Sequence, residues 1–190
     1  KYAFQRNIHI LKEKPFALNL NEALLLQNLS KRSLSKLMIV SQRRFHKTYQ
    51  QAKKLLPKIG QIKYVFAAYC FNKKTKGWRK DVTKSGGGVI IDSGYHFIDL
   101  FTYYFGTPNT IICSTDKLSS DQSCRTEDFA HLEFVYSDHK RVEVALNRMS
   151  EQKSEEIIFY GNQGKITVTK KNISLELFAK GTTDYSANTI

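Results

Sequence analysis

In Ser85-Gly86-Gly87-Gly88-Val89-Ile90-Ile91-Asp92-Ser93-Gly94-Tyr95-His96-Phe97-Ile98-Asp99, three glycines lead into an otherwise apolar run that carries three ionisable groups. The spacing predicts a helix over 88–105, stopped by Gly106 with Pro108 just beyond. Asp92 and His96 are four apart and Asp99 is three further on, so the three share one stripe of that helix. The apolar remainder implies that the helix is packed into protein. An imidazole held beside a carboxylate is how a fold makes a proton-transfer group. The same spacing also fits an ordinary hydrogen bond along a helix surface, worth roughly a few tenths of a kcal/mol. Gly94 removes a side chain between Asp92 and His96, so a ligand or another backbone could approach closely. Gly86-Gly87-Gly88 is neither GxGxxG nor GxxxxGK[ST], and it reads as a sharp turn into a close-packed helix.

Upstream of this stretch, helices and strands mix. Ile8-His9-Ile10-Leu11 reads as a buried strand that ends in Lys12-Glu13-Lys14-Pro15. Asn19 and Glu22 have capping-box spacing for a helix reaching about Lys31. A second buried strand is expected over 36–41, and a helix over 47–59 that Gly60 closes. A long strand follows over 61–71, then a polar, lysine-rich loop over 72–84. Downstream the period changes to two, with strands expected over 110–116, 128–136 and 141–147, hairpin strands over 156–160 and 165–169, and one more over 173–178. This is an α+β pattern: one mixed, mostly antiparallel sheet with helices on one face.

The composition is that of a globular protein, 41% hydrophobic and 25% charged. The longest apolar stretch runs from Val65 to Phe71, far short of the ~20 residues that cross a bilayer. The start lacks the apolar core of a secretory signal, and the absence of an initiator Met suggests that Lys1 is not a natural beginning. Cys70, Cys113 and Cys124 are odd in number with no CxxC pair, which points to reduced thiols and a cytoplasmic location. The net charge of +13 is lopsided: residues 1–84 carry 20 Lys/Arg against 3 Asp/Glu, and residues 85–190 carry 10 against 14. Such polarity fits a solvated basic face, attraction of a phosphate-bearing cofactor, or nucleic-acid binding, and no recognition motif accompanies the last.

Other residues could join the chemistry. Lys14 sits at a strand's carboxyl end before Pro15, where ligands of open α/β sheets bind; taken alone it reads first as a surface lysine. Trp78-Arg79 suits stacking and anion binding, or covers apolar surface. Arg43-Arg44 could pair with a phosphate or with the acidic half of the chain. Asp99 reads as a capping or salt-bridging residue, and a metal set of Asp92, His96 and Asp99 is not adopted.

Taken in order, Glu13-Lys14-Pro15, Arg43-Arg44-Phe45, Gly77-Trp78-Arg79 and Gly86-Gly87-Gly88 with Asp92, Gly94, His96 and Asp99 resemble the glucose–fructose oxidoreductase/inositol dehydrogenase (Gfo/Idh/MocA) family over most of residues 8–108. The resemblance implies hydride transfer between NAD or NADP and a sugar, cyclitol or nucleotide-sugar alcohol or ketone. It implies Lys14, Asp92 and His96 as catalytic residues, with His96 the general acid/base. It further implies Glu13, Lys14, Pro15, Trp78 and Arg79 at the cofactor, and Lys14, Arg44, Asp92 and His96 at the substrate. An open sheet face would make homo-oligomer contacts.

Two positions depart from the family pattern, Lys12 and Gln42. The glycine loop and acidic ribose ligand expected before Ile8 are absent, and the closing strand expected after residue 180 is not recognised. The expected division is therefore 1–14 as the end of a Rossmann domain and 15–190 as a C-terminal substrate and oligomerisation domain, incomplete at its end. Alone it should neither bind the cofactor well nor turn over. The rival readings are a non-catalytic binding or regulatory module of the same fold, and a basic nucleic-acid-associated protein.

Overall fold

Asn19 begins the first long helix. Its side chain accepts from the Glu22 backbone N–H at 3.0 Å, and the Glu22 carboxylate accepts from the Leu18 N–H at 3.1 Å. The computed structural model describes residues 2–72, 74–121, 123–179 and 181–186. A single turn, α1 (Tyr2–Gln5), precedes β1 (Ile10–Lys12), α2 (Leu20–Lys31) and β2 (Leu37–Ile39). β1 and β2 pair in parallel as a sheet of their own, Ile10 opposite Leu37 and Lys12 opposite Ile39. Both strands were expected to be buried, but Leu11 is 70% and Met38 51% exposed. α2 has no buried residue, and Leu20, Leu24 and Leu25 all face outward. β2 therefore pairs with β1 and not with the large sheet, so a two-stranded sheet stands beside the one expected from the sequence.

The second sheet has eight strands. α3 (Lys47–Leu55) leads through a 3₁₀ turn (Leu56–Ile59) and Gly60 into β3 (Ile62–Asn72). The loop expected next contains a 3₁₀ turn (Gly77–Lys80) and a short helix, α4 (Val82–Ser85). A π-helical turn (Ile90–Gly94) then runs into α5 (Tyr95–Phe105). The remaining strands are β4 (Thr110–Asp116), β5 (Phe129–Val135), β6 (Arg141–Asn147), β7 (Met149–Gly161), β8 (Gly164–Thr169), β9 (Asn172–Leu177) and β10 (Gly181–Ser186). Their order is β10-β9-β8-β7-β3-β6-β5-β4, antiparallel throughout except for the parallel β3–β6 pair. Two strand expectations change. β7 begins well before residue 156, and β10 is the strand beyond 180 that the sequence reading did not recognise.

Period-two burial sets the layers. Val65 and Ala67 of β3, Val142, Val144 and Leu146 of β6, Ile157 and Phe159 of β7 and Ile166 and Val168 of β8 point to one face. α3 and α5 cover that face with Tyr49, Ala52, Leu55, Phe97, Leu100 and Phe101. Phe66, Ala68 and Ile158 are in the opposite phase and half-buried. The fold class is α+β, with one large, mostly antiparallel sheet and few helices, as expected.

Candidate active site

The glycine-led stretch enters its helix under tight constraint. A Cβ on Gly88 would lie 2.0 Å from the Glu127 carbonyl oxygen. The Glu127 carboxylate accepts from the Gly88 N–H at 2.8 Å and the Ile90 N–H at 3.1 Å, while its carbonyl accepts from the Val89 N–H. A carboxylate at a helix start satisfies orphan donors and suits the positive end of the dipole. Gly94 is close-packed too: a Cβ there would meet Leu146 at 2.8 Å, so a core side chain and not a ligand needs that space.

Asp92 lies in the π-turn. The Lys14 ammonium donates to that carbonyl at 2.7 Å and to Asp92 Oδ1 at 3.1 Å. On the other side, Arg148 Nη2 donates to Asp92 Oδ2 at 3.3 Å. One carboxylate therefore sits between two cations, a local excess of positive charge. Lys14 also stands 5.0 Å above the ring of Tyr95, and the Lys14–Pro15 peptide is cis.

His96 is held differently from the sequence expectation. Its Nε2 shares a 2.8 Å hydrogen bond with the Tyr95 hydroxyl, and its Nδ1 is buried with no hydrogen-bond partner. Tyr95, and not a carboxylate one turn away, orients the ring. The π-turn shifts the helical phase between residues 92 and 96, so the simple four-residue spacing no longer applies. Burial pushes the imidazole down to a pKa of about 3, helped by the charges of Arg43 and Lys14 and opposed by Asp92. At neutral pH the ring is therefore uncharged. Burial likewise raises the Tyr95 phenol to about 12, so it remains a hydroxyl.

Lys14, Asp92 and His96 line one cavity of about 370 Å³, with Tyr69, Asn72 and Lys153 on its other walls. Next to it, Lys14, Pro15, Trp78, Arg79 and Asp92 line a second cavity of about 120 Å³. Arg79 lies 4.5 Å over the Trp78 ring. Glu13 lies outside both cavities and is exposed. Arg44, expected at the substrate, is instead engaged with Asp99, Nε to Oδ2 at 2.7 Å and Nη2 to Oδ1 at 2.5 Å. A fork-on-carboxylate pair of this kind uses up the guanidinium's planar donors.

Arg43 makes the companion pair. Its Nη2 donates to Glu155 Oε2 at 3.0 Å, and Nη1 lies 2.7 Å from Oε1, off the hydrogen-bonding line. The Tyr49 hydroxyl donates to the same carboxylate, and Phe97 lies 4.3 Å beneath the guanidinium. The arginine pair thus meets the acidic half of the chain, one of the two partners the sequence left open. Among the described residues, four ion pairs join the basic half to the acidic half: Lys14–Asp92, Arg43–Glu155, Arg44–Asp99 and Lys80–Asp121.

Arg148, Tyr95 and Glu127 were not singled out from the sequence for these contacts. Arg148 left a signal: it continues the even phase of Val142, Val144 and Leu146, which face the core, so its charge had to be buried. Glu127 left none, because it acts from a loop 37 to 39 positions away from its donors.

Comparison with known proteins bears on this geometry. An uncharacterised oxidoreductase of Schizosaccharomyces pombe is 28% identical over 141 residues, covering 72% of this chain and 38% of that protein. A second from the same yeast is 34% identical over 118 residues, 60% of this chain and 31% of the relative. The chain thus spans well under half the length of these relatives. Among solved structures, an inositol dehydrogenase homologue from Azotobacter vinelandii, complexed with NAD+, superimposes with a TM-score of 0.87 at 17% identity, covering 97% of this chain and 52% of that one. A levoglucosan dehydrogenase complexed with NADH and levoglucosan gives 0.88 at 18% identity, covering 97% and 56%. At such identities the structures speak to the fold alone. The sequence model of the GFO/IDH/MocA C-terminal domain matches residues 49–167, nearly the whole of the α3–β8 region, and on that match the chain belongs to the GFO/IDH/MocA family.

Proposed function

We propose that this chain is the substrate-binding part of a nicotinamide-dependent oxidoreductase acting on a sugar-like alcohol or ketone. The observation that carries the reading is the convergence of Lys14 and His96 on one cavity, with Asp92 tying the lysine in place. Lys14 follows β1 of the two-stranded sheet and His96 lies in α5, which packs on the large one, so the cavity lies where the two units meet.

The residues fit a nicotinamide cofactor. Lys14, Pro15, Trp78 and Arg79 offer a cation, a rigid corner, an exposed aromatic face and a guanidinium around one opening. When bound, a nicotinamide supplies the hydride acceptor or donor. This chain's own residues handle the proton. His96 lines the cavity with its Nε2 on the Tyr95 hydroxyl, and on this reading its imidazole takes a proton from a substrate hydroxyl or returns one to a carbonyl oxygen. Lys14 would stabilise the developing alkoxide, and Asp92 would hold that ammonium in place. Either NAD or NADP serves this reading.

The remainder of the protein is inferred from what is left uncovered. Leu11, Leu20, Leu24 and Met38 expose apolar surface on the β1–α2–β2 unit, as expected if a nucleotide-binding half packs there. On this reading the boundary between the two domains falls near residue 40 and not at 14. The half-buried Phe66, Ala68 and Ile158 on the open sheet face suit contact with a second copy. Three free cysteines suit the reducing cytoplasm. No helix among the described residues is long and apolar enough to cross a membrane.

The test is nicotinamide reduction by the longer protein over a panel of polyols and sugars, followed by absorbance, with Lys14→Ala and His96→Ala beside it. Turnover that both substitutions abolish is the expected result. Turnover indifferent to both would overturn the assignment.

A further inference from the structure

We propose that Arg148 and the lysines beside it form a subsite for an anionic group on the substrate, so that the ligand is a sugar acid or sugar phosphate and not a neutral polyol. This inference rests on the oxidoreductase reading above and adds the class of substrate.

Arg148 has a buried side chain, 4% exposed, at the end of β6. Its Nη1 donates to Thr75 Oγ1 at 2.7 Å and its Nη2 to Asp92 Oδ2 at 3.3 Å, while Nε is buried without a partner. A guanidinium has five N–H donors, and burying it incompletely matched is costly. Its nearest anion does not neutralise it, because the Asp92 carboxylate is shared with Lys14.

Arg148 is on the wall of three cavities on its side of Asp92. It borders the cavity of Trp78 and Arg79, a neighbouring one of about 240 Å³, and a larger one of about 530 Å³. The last is within the size range of small-molecule sites. Lys74 and Lys76 border the two latter cavities and Arg79 the smaller of them. None of these three makes an ion pair among the described residues. Lys80 is paired with Asp121. The other carboxylate there, Asp128, accepts from the Leu118 and Ser119 N–H groups at 2.6 and 3.0 Å. The space between Asp92 and the 74–80 loop is therefore net positive, walled by a planar fork that matches carboxylate or phosphate. A sugar whose reacting carbon lies by His96 and Lys14 would reach this space with a charged substituent.

Trp78 is the chain's only tryptophan and stands on the wall of the adjoining cavity, so its emission reports occupancy. The chain is titrated at low ionic strength with D-glucuronate, D-glucose 6-phosphate and D-glucose. At least one of the two anions should bind about tenfold or more tighter than glucose, and which one does distinguishes carboxylate from phosphate. Arg148→Gln should weaken that anion by about tenfold or more, and weaken glucose far less. Should Arg148→Gln fail to fold, the surface pair Lys74→Ala/Lys76→Ala should still weaken the anion severalfold and reduce its salt dependence. Equal affinity for all three sugars, no saturable response to any, or anion binding indifferent to both sets of substitutions would overturn the subsite. The two readings fail separately: turnover with neutral sugars alone removes the subsite, and anion binding without nicotinamide-coupled turnover removes the oxidoreductase.

Discussion

The Lys14 ammonium reaches Asp92 across 78 positions of sequence and binds both its main-chain carbonyl and its carboxylate, at 2.7 and 3.1 Å. A lysine two residues beyond β1 is thereby fixed to the π-turn that leads into α5, the helix packed on the large sheet. The cavity wall is built across two units, and its chemistry depends on that tie.

Removing the ring of His96 should be costly to turnover and cheap in binding. In the longer protein, His96→Ala is expected to lower kcat by at least ~100-fold with a far smaller change in KM, the low end for a lost acid/base. Steady-state kinetics measure this directly, and near-normal turnover would remove His96 from the role.

His96 should also leave a mark on acid stability. The folded ring stays neutral down to about pH 3, whereas an exposed imidazole takes a proton near ~6.5. Unfolding therefore binds a proton between those values, so this contribution is whole above about pH 6.5 and is lost as the pH falls towards 3. His96→Asn should flatten the slope of stability against pH across that window, read from urea midpoints at several pH values. Parallel slopes for the two proteins would contradict it.

The Arg43–Glu155 pair is nearly buried, with both side chains 12% exposed. Glu155→Ala would strand the guanidinium over Phe97 and leave the Tyr49 hydroxyl without its acceptor, a cost of about 3–5 kcal/mol. Arg44→Ala removes a more exposed pair, and its loss should be about 1 kcal/mol or less. Chemical denaturation of the two variants should rank them in that order; equal losses would argue against the burial account.

Glu127→Ala would leave the Gly88 and Ile90 N–H groups without their acceptor, for about 1–3 kcal/mol. Glu127→Gln keeps an acceptor oxygen and should recover part of that. Because the same turn carries Asp92, amide exchange over 88–94 should speed up in the alanine variant. Unchanged exchange there would show that Glu127 does not hold the turn.

Much of the large sheet was readable because its strands alternate cleanly. Val142, Val144 and Leu146, or Ile166 and Val168, announce a buried face by period alone. The capped helix after Asn19 and the stop at Gly106 were equally plain, since their signals are local. Three things escaped. The pairing of β2 with β1 is a long-range choice that propensity does not encode, and both are short and half-exposed. β10, over Gly181–Ser186, is polar and lies at the sheet's edge, so it lacks the apolar alternation that marks the others. The partners of the site, Arg148 and Glu127, come from distant positions. Residues 14, 92 and 96 could be chosen from spacing and family resemblance, but not the guanidinium and carboxylate that hold their surroundings.

The π-turn over Ile90–Gly94 has a consequence for length itself. Each residue advances an α-helix by about 100°. Taking one amino acid out of this turn would let an ordinary 3.6-fold spiral form, and Asp92 would swing roughly that far from Lys14 while Phe97, Leu100 and Phe101 kept their seats in the core. A shortened chain could then be sound as a scaffold and inert as a catalyst.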